Sequence, residues 1–274
     1  MSAARFVVNC SILLTDLPLL QRPQAARDAG FEAVEFWWPF DDSVPADSEV
    51  EALIAAVTDA GIRLAALNLA GGDMAAGERG LLSHPGRRQE LRDNVDVAFG
   101  IADRLGTKAF NALYGNRMDG VAAAEQDSVA AENLEHIGRI AERSGAVVLL
   151  EPLSGVAAYP LRTARDAVAV LDRVDDVSSL RLLADLYHLS VNGDDLTAVI
   201  DDHGDRIGHV QLADAPGRGA PGTGTVDFDR HLAHLRERGY RGNVSLEYRA
   251  DGADPFDWLP RSRRGADPWA PAGK

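Results

Sequence analysis

The sequence predicts an α/β fold of the (β/α)8 TIM-barrel class, with eight parallel strands closed into one barrel and a single domain over residues 1–274. Three observations carry the prediction. Short apolar runs alternate with longer amphipathic stretches along the chain, the rhythm of repeated βα units. Helical stretches stop at Gly30, Gly61, Gly106 and Gly145 shortly before the next apolar run, where a helix end favours a residue that turns left-handed. The first apolar run leads into NCSILLTD without a glycine, so the phosphate-binding turn that opens the competing doubly wound sheet is missing.

RFVVNC (5–10) reads as the first strand and PLLQRPQAARDAG as the first helix. AVEFW (33–37) and DSEVEALIAAVTDAG repeat the pair, the helix ending at Gly61. RLAALNL (63–69) is followed by PGRRQELRDNVDVAFGIADRLG, which starts at Pro85, a residue suited to a first helical turn. After KAFNAL (108–113), AAAEQDSVAAENLEHIGRIAERSG places apolar residues at helical spacing. AVVLLE (146–151), LRLLAD (180–185) and IGHVQL (207–212) are strands five to seven, followed by RTARDAVAVLDRV, DLTAVIDDHGDR and FDRHLAHLRERGY. NVSLEY (243–248) is the eighth. GTGTVDFD (222–229) looks like a phosphate loop but reads better as a turn before the seventh helix, with Asp227 near the helix N-terminus. The tail from residue 261 to 274, RSRRGADPWAPAGK, is expected to be loosely held.

Composition narrows the function. The chain has 274 residues, 46% of them hydrophobic, enough for one large core, and no linker divides it. A net charge of −14 disfavours nucleic-acid binding, which needs a basic footprint. An anionic substrate would need local positive charge from arginine or a metal. The lone Cys10 excludes an internal disulfide and fits a reducing compartment. No apolar run is long enough to span a bilayer, and Asn9 interrupts any signal-like segment, so a cytoplasmic protein is expected.

A barrel enzyme builds its site at the C-terminal ends of its strands. Those ends read Asn9, Glu35, Asn68, Asn111, Glu151, Asp185, Gln211 and Glu247. Adjacent strands lie about 4.8 Å apart, so the last four ends gather three carboxylates and an amide around one point. Three carboxylates that close need a counter-charge. Oxygen ligands of this kind suit a divalent metal, Mg²⁺ or Mn²⁺. Gln211 then serves as a fourth ligand that adds no further negative charge. Each residue also has a plain alternative. A strand-end acid can cap the next helix, Gln211 can satisfy a loop backbone, His188 can be a loop histidine, and Glu35 can pair with an arginine.

At these residues the sequence resembles the hydroxypyruvate isomerase family, within the xylose-isomerase-like barrels. The matching stretches are VEFWWPF (34–40), NLAGGDMAAGERG (68–80), HPGRRQELRDNV (84–95), LLEPL (149–153), IGHVQLADAPGRGAPGTGTVDF (207–228) and LEYR (246–249). The resemblance implies a metal site at Glu151, Asp185, Gln211 and Glu247, with Glu151 and Glu247 as the acid–base pair. Related ketose 3-epimerases usually carry histidine where this chain has Gln211. Arg249, where lysine is usual, and Leu67, where histidine is common, are departures that bear on substrate detail.

The reaction so implied interconverts hydroxypyruvate and tartronate semialdehyde through an enediolate, and a metal would stabilise its charge. The substrate is a small hydroxy-keto acid, with Arg218 as first candidate for its carboxylate and Arg79 and Arg87 as others. His188, Asn68 and Glu35 complete the expected substrate-binding set. Alternatives are a 2-oxo-tetronate isomerase, a ketose 3-epimerase, a DNA-repair endonuclease on the same barrel, and a sugar-acid binder without turnover. The endonuclease would need several zinc-binding histidines and a basic groove, against 7 scattered histidines here. Self-association into a homo-oligomer stays open, and the aromatic stretch FWWPF (36–40) is a candidate cover for a site or an interface.

Overall fold

The computed structural model describes residues 4–252 and 254–269. Its strands are β1 (Phe6–Asn9), β2 (Ala33–Phe36), β3 (Arg63–Asn68), β4 (Ala109–Asn111), β5 (Val147–Leu150), β6 (Leu180–Asp185), β7 (Ile207–Leu212) and β8 (Val244–Leu246). They pair in parallel in sequence order, and β8 closes onto β1. The chain is therefore a (β/α)8 barrel, as its alternating pattern predicts.

The helices are α1 (Arg22–Asp28), α2 (Asp47–Asp59), α3 (Arg88–Leu105), α4 (Ala123–Ser144), α5 (Ala164–Leu171), α6 (Leu186–Val191), α7 (Leu196–His203), α8 (Phe228–Glu237) and α9 (Arg261–Arg264). The glycine stops hold: α3 and α4 end on Gly106 and Gly145, both with positive φ. Asp227 caps α8 by accepting from the Arg230 N–H. Among the described residues, no helix is long and apolar enough to cross a membrane.

Alternation along each strand sorts side chains between two environments. Val8, Val34, Leu64, Phe110, Val148, Leu182, Val210 and Leu246 face outward and join the core under the helices. Phe99 of α3 stacks on Phe110 with ring centroids 4.2 Å apart. Inside the barrel, Val7, Ala33 and Ala65 form a small separate apolar cluster. One step further along each strand the inward residues turn polar. Register then sets Asn9 beside Glu35, Asn68 beside Asn111, and Asp185 beside Gln211.

Two features depart from the sequence reading. Helix α6 has no counterpart in the sequence pattern. Its six residues are too few for a periodic signal, and it starts because the Asp185 carboxylate accepts the Tyr187 and His188 N–H groups. The tail is not loose where it is described. The buried Arg264 guanidinium donates to the carbonyls of Leu259, Ala29 and Phe256, and Trp269 packs edge-on against Tyr240. Charge and proline content do not loosen it, because each guanidinium nitrogen of Arg264 finds a carbonyl. Residues 270–274 of that tail lie outside the described residues.

Candidate active site

The site sits at the C-terminal mouth of the barrel. Glu35, Glu151, Asp185, Gln211 and Glu247 are all buried there, each at most 4% exposed. Glu151 and Glu247 follow the last residues of β5 and β8 directly, so short strands deliver them at the rim.

Their hydrogen bonds are unequal. Glu35 is fully engaged: Oε2 lies 2.7 Å from His209 Nε2, and Oε1 accepts from Asn9 Nδ2 at 3.0 Å and Gln211 Nε2 at 2.9 Å. Glu247 Oε2 accepts from Asn9 Nδ2 at 2.6 Å and from Gln211 Nε2, while Oε1 accepts from Arg218 Nη2 at 2.5 Å. Glu151 Oε2 accepts from Asn111 Nδ2 at 2.7 Å. Glu151 Oε1, Asp185 Oδ2, Gln211 Oε1 and, beside Glu151, Asn111 Oδ1 are buried without a hydrogen-bond donor among the described residues. The first three come from three consecutive strand ends. A buried oxygen without a donor is costly unless a cation or a ligand satisfies it. This donor set fits a divalent cation with oxygen ligands.

The electrostatics agree. Burial, with Asp185 alongside, pushes the Glu151 carboxyl up to about 8, against the Asn111 hydrogen bond. Burial likewise raises Glu247 well above the usual carboxylate range, although Arg218 opposes the shift. Burial would also raise Glu35, but the charge and hydrogen bond of His209, with hydrogen bonds from Ser245 and Gln211, hold it low. Burial works against the charge on Arg218, but Glu247, Asp185 and Glu151 outweigh it and keep the guanidinium charged.

Glu151, Asp185 and His188 offer ligand atoms all within 4.8 Å of one another, a buried cluster able to hold a metal ion. The histidine's own bonds give it a different part. The Ser154 N–H donates to His188 Nδ1 at 3.0 Å, and burial lowers the ring to about 4. The ring is therefore neutral with its proton on Nε2, 3.7 Å from Asp185 Oδ2. That tautomer turns an N–H, not a lone pair, toward the Asp185 carboxylate.

Of the three candidate arginines, Arg218 is the one the fold brings to the acids. Its Nη2 also lies 4.0 Å from Asp185 Oδ2, and its guanidinium sits over the Tyr187 ring, 5.5 Å from the centroid. Its backbone is left-handed, φ 58, a conformation uncommon for any residue but glycine. The loop around it is imposed by Asp214, whose carboxylate accepts the N–H groups of Ala215, Gly222, Gly224 and Val226. Any Cβ on Gly224 would come within 2.1 Å of the Ala215 carbonyl oxygen, so this position needs glycine. Arg79 and Arg87 are spoken for. Arg87 pairs with Glu78 and Glu90, and Arg79 donates to the carbonyls of Met74 and Glu78. They brace the GGDMAAGERG loop, where Gly80, φ 111, passes close to the Leu113 carbonyl.

Asn68 is in register with Asn111 but lines a cavity of about 590 Å³ with Trp37, Trp38, Phe40 and Met74. Glu35, expected to touch substrate, instead has both oxygens taken by protein donors. Sequence reading missed the roles of Asn9, His209, Ser154 and Asp214. Period-two spacing from Gln211 would have found His209; nothing local marks Ser154 or Asp214.

A family model described as "Xylose isomerase-like TIM barrel" matches residues 23–269. The chain belongs to the xylose isomerase-like TIM barrel family. A protein of Streptomyces coelicolor named "Putative hydroxypyruvate isomerase" is 51% identical, covering 96% of this chain and 98% of its own. The hydroxypyruvate isomerase of Escherichia coli is 32% identical over 89% of this chain and 93% of its own. A 2-oxo-tetronate isomerase of Cupriavidus necator is 30% identical, covering 93% and 97%. A crystal structure of an AP endonuclease, family 2, from Brucella melitensis matches with a TM-score of 0.85 at 31% identity, over 93% of this chain and 98% of that one. This member of the family is an isomerase similar to the hydroxypyruvate isomerases.

Proposed function

We propose that the enzyme interconverts hydroxypyruvate and tartronate semialdehyde (2-hydroxy-3-oxopropanoate), with Glu151 and Glu247 as the acid–base pair. The observation that carries this reading is the set of three donorless buried oxygens, Glu151 Oε1, Asp185 Oδ2 and Gln211 Oε1, beside the charged Arg218. Glu151, Asp185, Gln211 and Glu247 would hold a divalent cation, Mg²⁺ or Mn²⁺, which when bound supplies positive charge against the negative charge that develops on adjacent substrate oxygens.

The chain's own groups account for the proton movements. One glutamate removes a proton from C3 of hydroxypyruvate, and the other returns a proton to C2. The C3 hydroxyl proton passes to the C2 oxygen, so atoms balance and the two glutamates exchange roles in reverse. Arg218 binds the substrate carboxylate, and this draws its guanidinium from Glu247. His188 Nε2–H donates to a substrate oxygen, and Asn68 lies at the rim. Burial of the site keeps water from the enediolate. The endonuclease alternative finds little support in a mouth of carboxylates and amides on a chain of net charge −14.

The test is NMR of hydroxypyruvate in D₂O with enzyme and defined Mg²⁺ or Mn²⁺. The expected result is tartronate semialdehyde with deuterium entering at carbon. Conversion of neither hydroxypyruvate nor tartronate semialdehyde would overturn the substrate. A second reading, a 2-oxo-tetronate isomerase, is favoured by the cavity beside Asn68, which has room for a longer chain. Comparing kcat/KM across three- and four-carbon hydroxy-keto acids separates the two.

A further inference from the structure

We infer that Glu35 and His209 form a positioning pair that fixes which end of the Gln211 amide faces the acid cluster. The inference rests on the metal reading above and assigns Glu35 a task different from substrate binding.

An amide can present either its oxygen or its NH₂ to the mouth, and only the oxygen can ligate a cation. Here both hydrogens of Gln211 Nε2 are used, one toward Glu35 Oε1 and one toward Glu247 Oε2. Its Oε1 is left as a buried oxygen without a donor. A flipped amide would set that oxygen against Glu35 Oε1 and Glu247 Oε2, which both already accept from Asn9 Nδ2, so acceptor would face acceptor.

Glu35 is itself held from two sides. His209 stands two residues before Gln211 on β7, on the same face and deeper in the barrel, and engages Glu35 Oε2 at 2.7 Å. Asn9 donates to Glu35 Oε1 and Glu247 Oε2. The orientation of Asn9 is anchored by backbone, because its Oδ1 accepts the Ser11 N–H at 3.0 Å. Glu35 and His209 are 3% and 2% exposed, and both oxygens of Glu35 are engaged by protein groups. A buried carboxylate–imidazole contact of this kind is weak evidence for stability, and here its geometry fixes the Glu35 carboxylate. In metal sites, partners behind the ligands commonly change affinity by about 10- to 100-fold.

Glu35→Gln keeps the volume but lets the new NH₂ donate to a flipped Gln211 oxygen. The experiment measures Mn²⁺ affinity, by EPR of free Mn²⁺, for the wild type, Glu35→Gln, Gln211→Ala, the double variant and Glu151→Gln. The expected loss for Glu35→Gln is about 10- to 100-fold. In the Gln211→Ala background the same substitution should change affinity by less than about 2-fold, because no amide remains to orient. An equal loss in both backgrounds, or wild-type affinity in Glu35→Gln, overturns the positioning role while leaving the metal site intact. Wild-type protein that binds no Mn²⁺, or binds it unchanged after Glu151→Gln, overturns the metal reading and this inference with it. Should Glu35→Gln not fold, His209→Leu replaces it in the same cycle, with a loss again expected only when Gln211 is present.

Discussion

The two sides of the barrel mouth carry similar residues and treat them differently. On the β1–β2 side, Glu35 accepts from Asn9, Gln211 and His209 and is held low, an ordinary charged carboxylate in an extraordinary place. On the β5–β6 side, Glu151 has one donor, Asn111, and an acid neighbour, and it rises to about 8. Both are buried strand-end glutamates. What separates them is the donors and charges that neighbouring strands supply, His209 beside Glu35 and Asp185 beside Glu151, so residue type and position alone do not set the charge of a buried strand-end acid.

The sharpest way to break this contrast is to neutralise each side. Glu151→Gln and Glu247→Gln should each lower kcat by about 10²- to 10⁴-fold, the usual range for general acid–base catalysis. Circular dichroism should show a folded protein in both. Wild-type-like turnover in either variant removes it from the acid–base pair.

A smaller effect is expected at the cation that bridges to the acid side. Arg218→Ala should lower kcat/KM by about 10- to 100-fold, matching the loss of one charge-assisted hydrogen bond. The loss should fall mainly on KM. A kcat defect with unchanged KM would move Arg218 from binding the substrate carboxylate to the chemistry itself.

The smallest effect is on stability, and it carries a pH signature. In metal-free protein the Glu151 carboxyl is raised from 4.5 to about 8. Its stabilising contribution is whole below about 4.5 and is lost as pH rises toward 8, because the unfolded chain has by then released that proton. The Tm of EDTA-treated protein should therefore fall across this window, and less so in Glu151→Gln. His188 acts in the opposite sense: lowered from 6.5 to about 4, it costs stability as pH drops between those values. Adding Mg²⁺ or Mn²⁺ should raise Tm more at pH 8 than at pH 5, since cation binding displaces protons from the acids. A metal-induced shift independent of pH would show that these carboxylates are not the ligands.

Much of this was legible in the chain. Alternation and glycine stops marked the barrel, and reading strand ends listed the residues that meet at its mouth. Other features were not. Arg79, Arg87 and Arg218 look alike in sequence, yet the first two brace a loop and only the third reaches the acids. Helix α6 is too short to show a period, and Arg264 reads as surface charge until three carbonyls close around it.

The sequence by itself determined the barrel class, the inward face of each strand and the identity of the side chains at its rim, because these follow from local periodicity. Only the tertiary structure decided which of those side chains have partners. Gln211 meets Glu35 across 176 residues and Asn9 meets Glu247 across 238. Hydrogen-bond satisfaction at that range depends on barrel closure, and it is satisfaction, not composition, that leaves Glu151 Oε1, Asp185 Oδ2 and Gln211 Oε1 without donors.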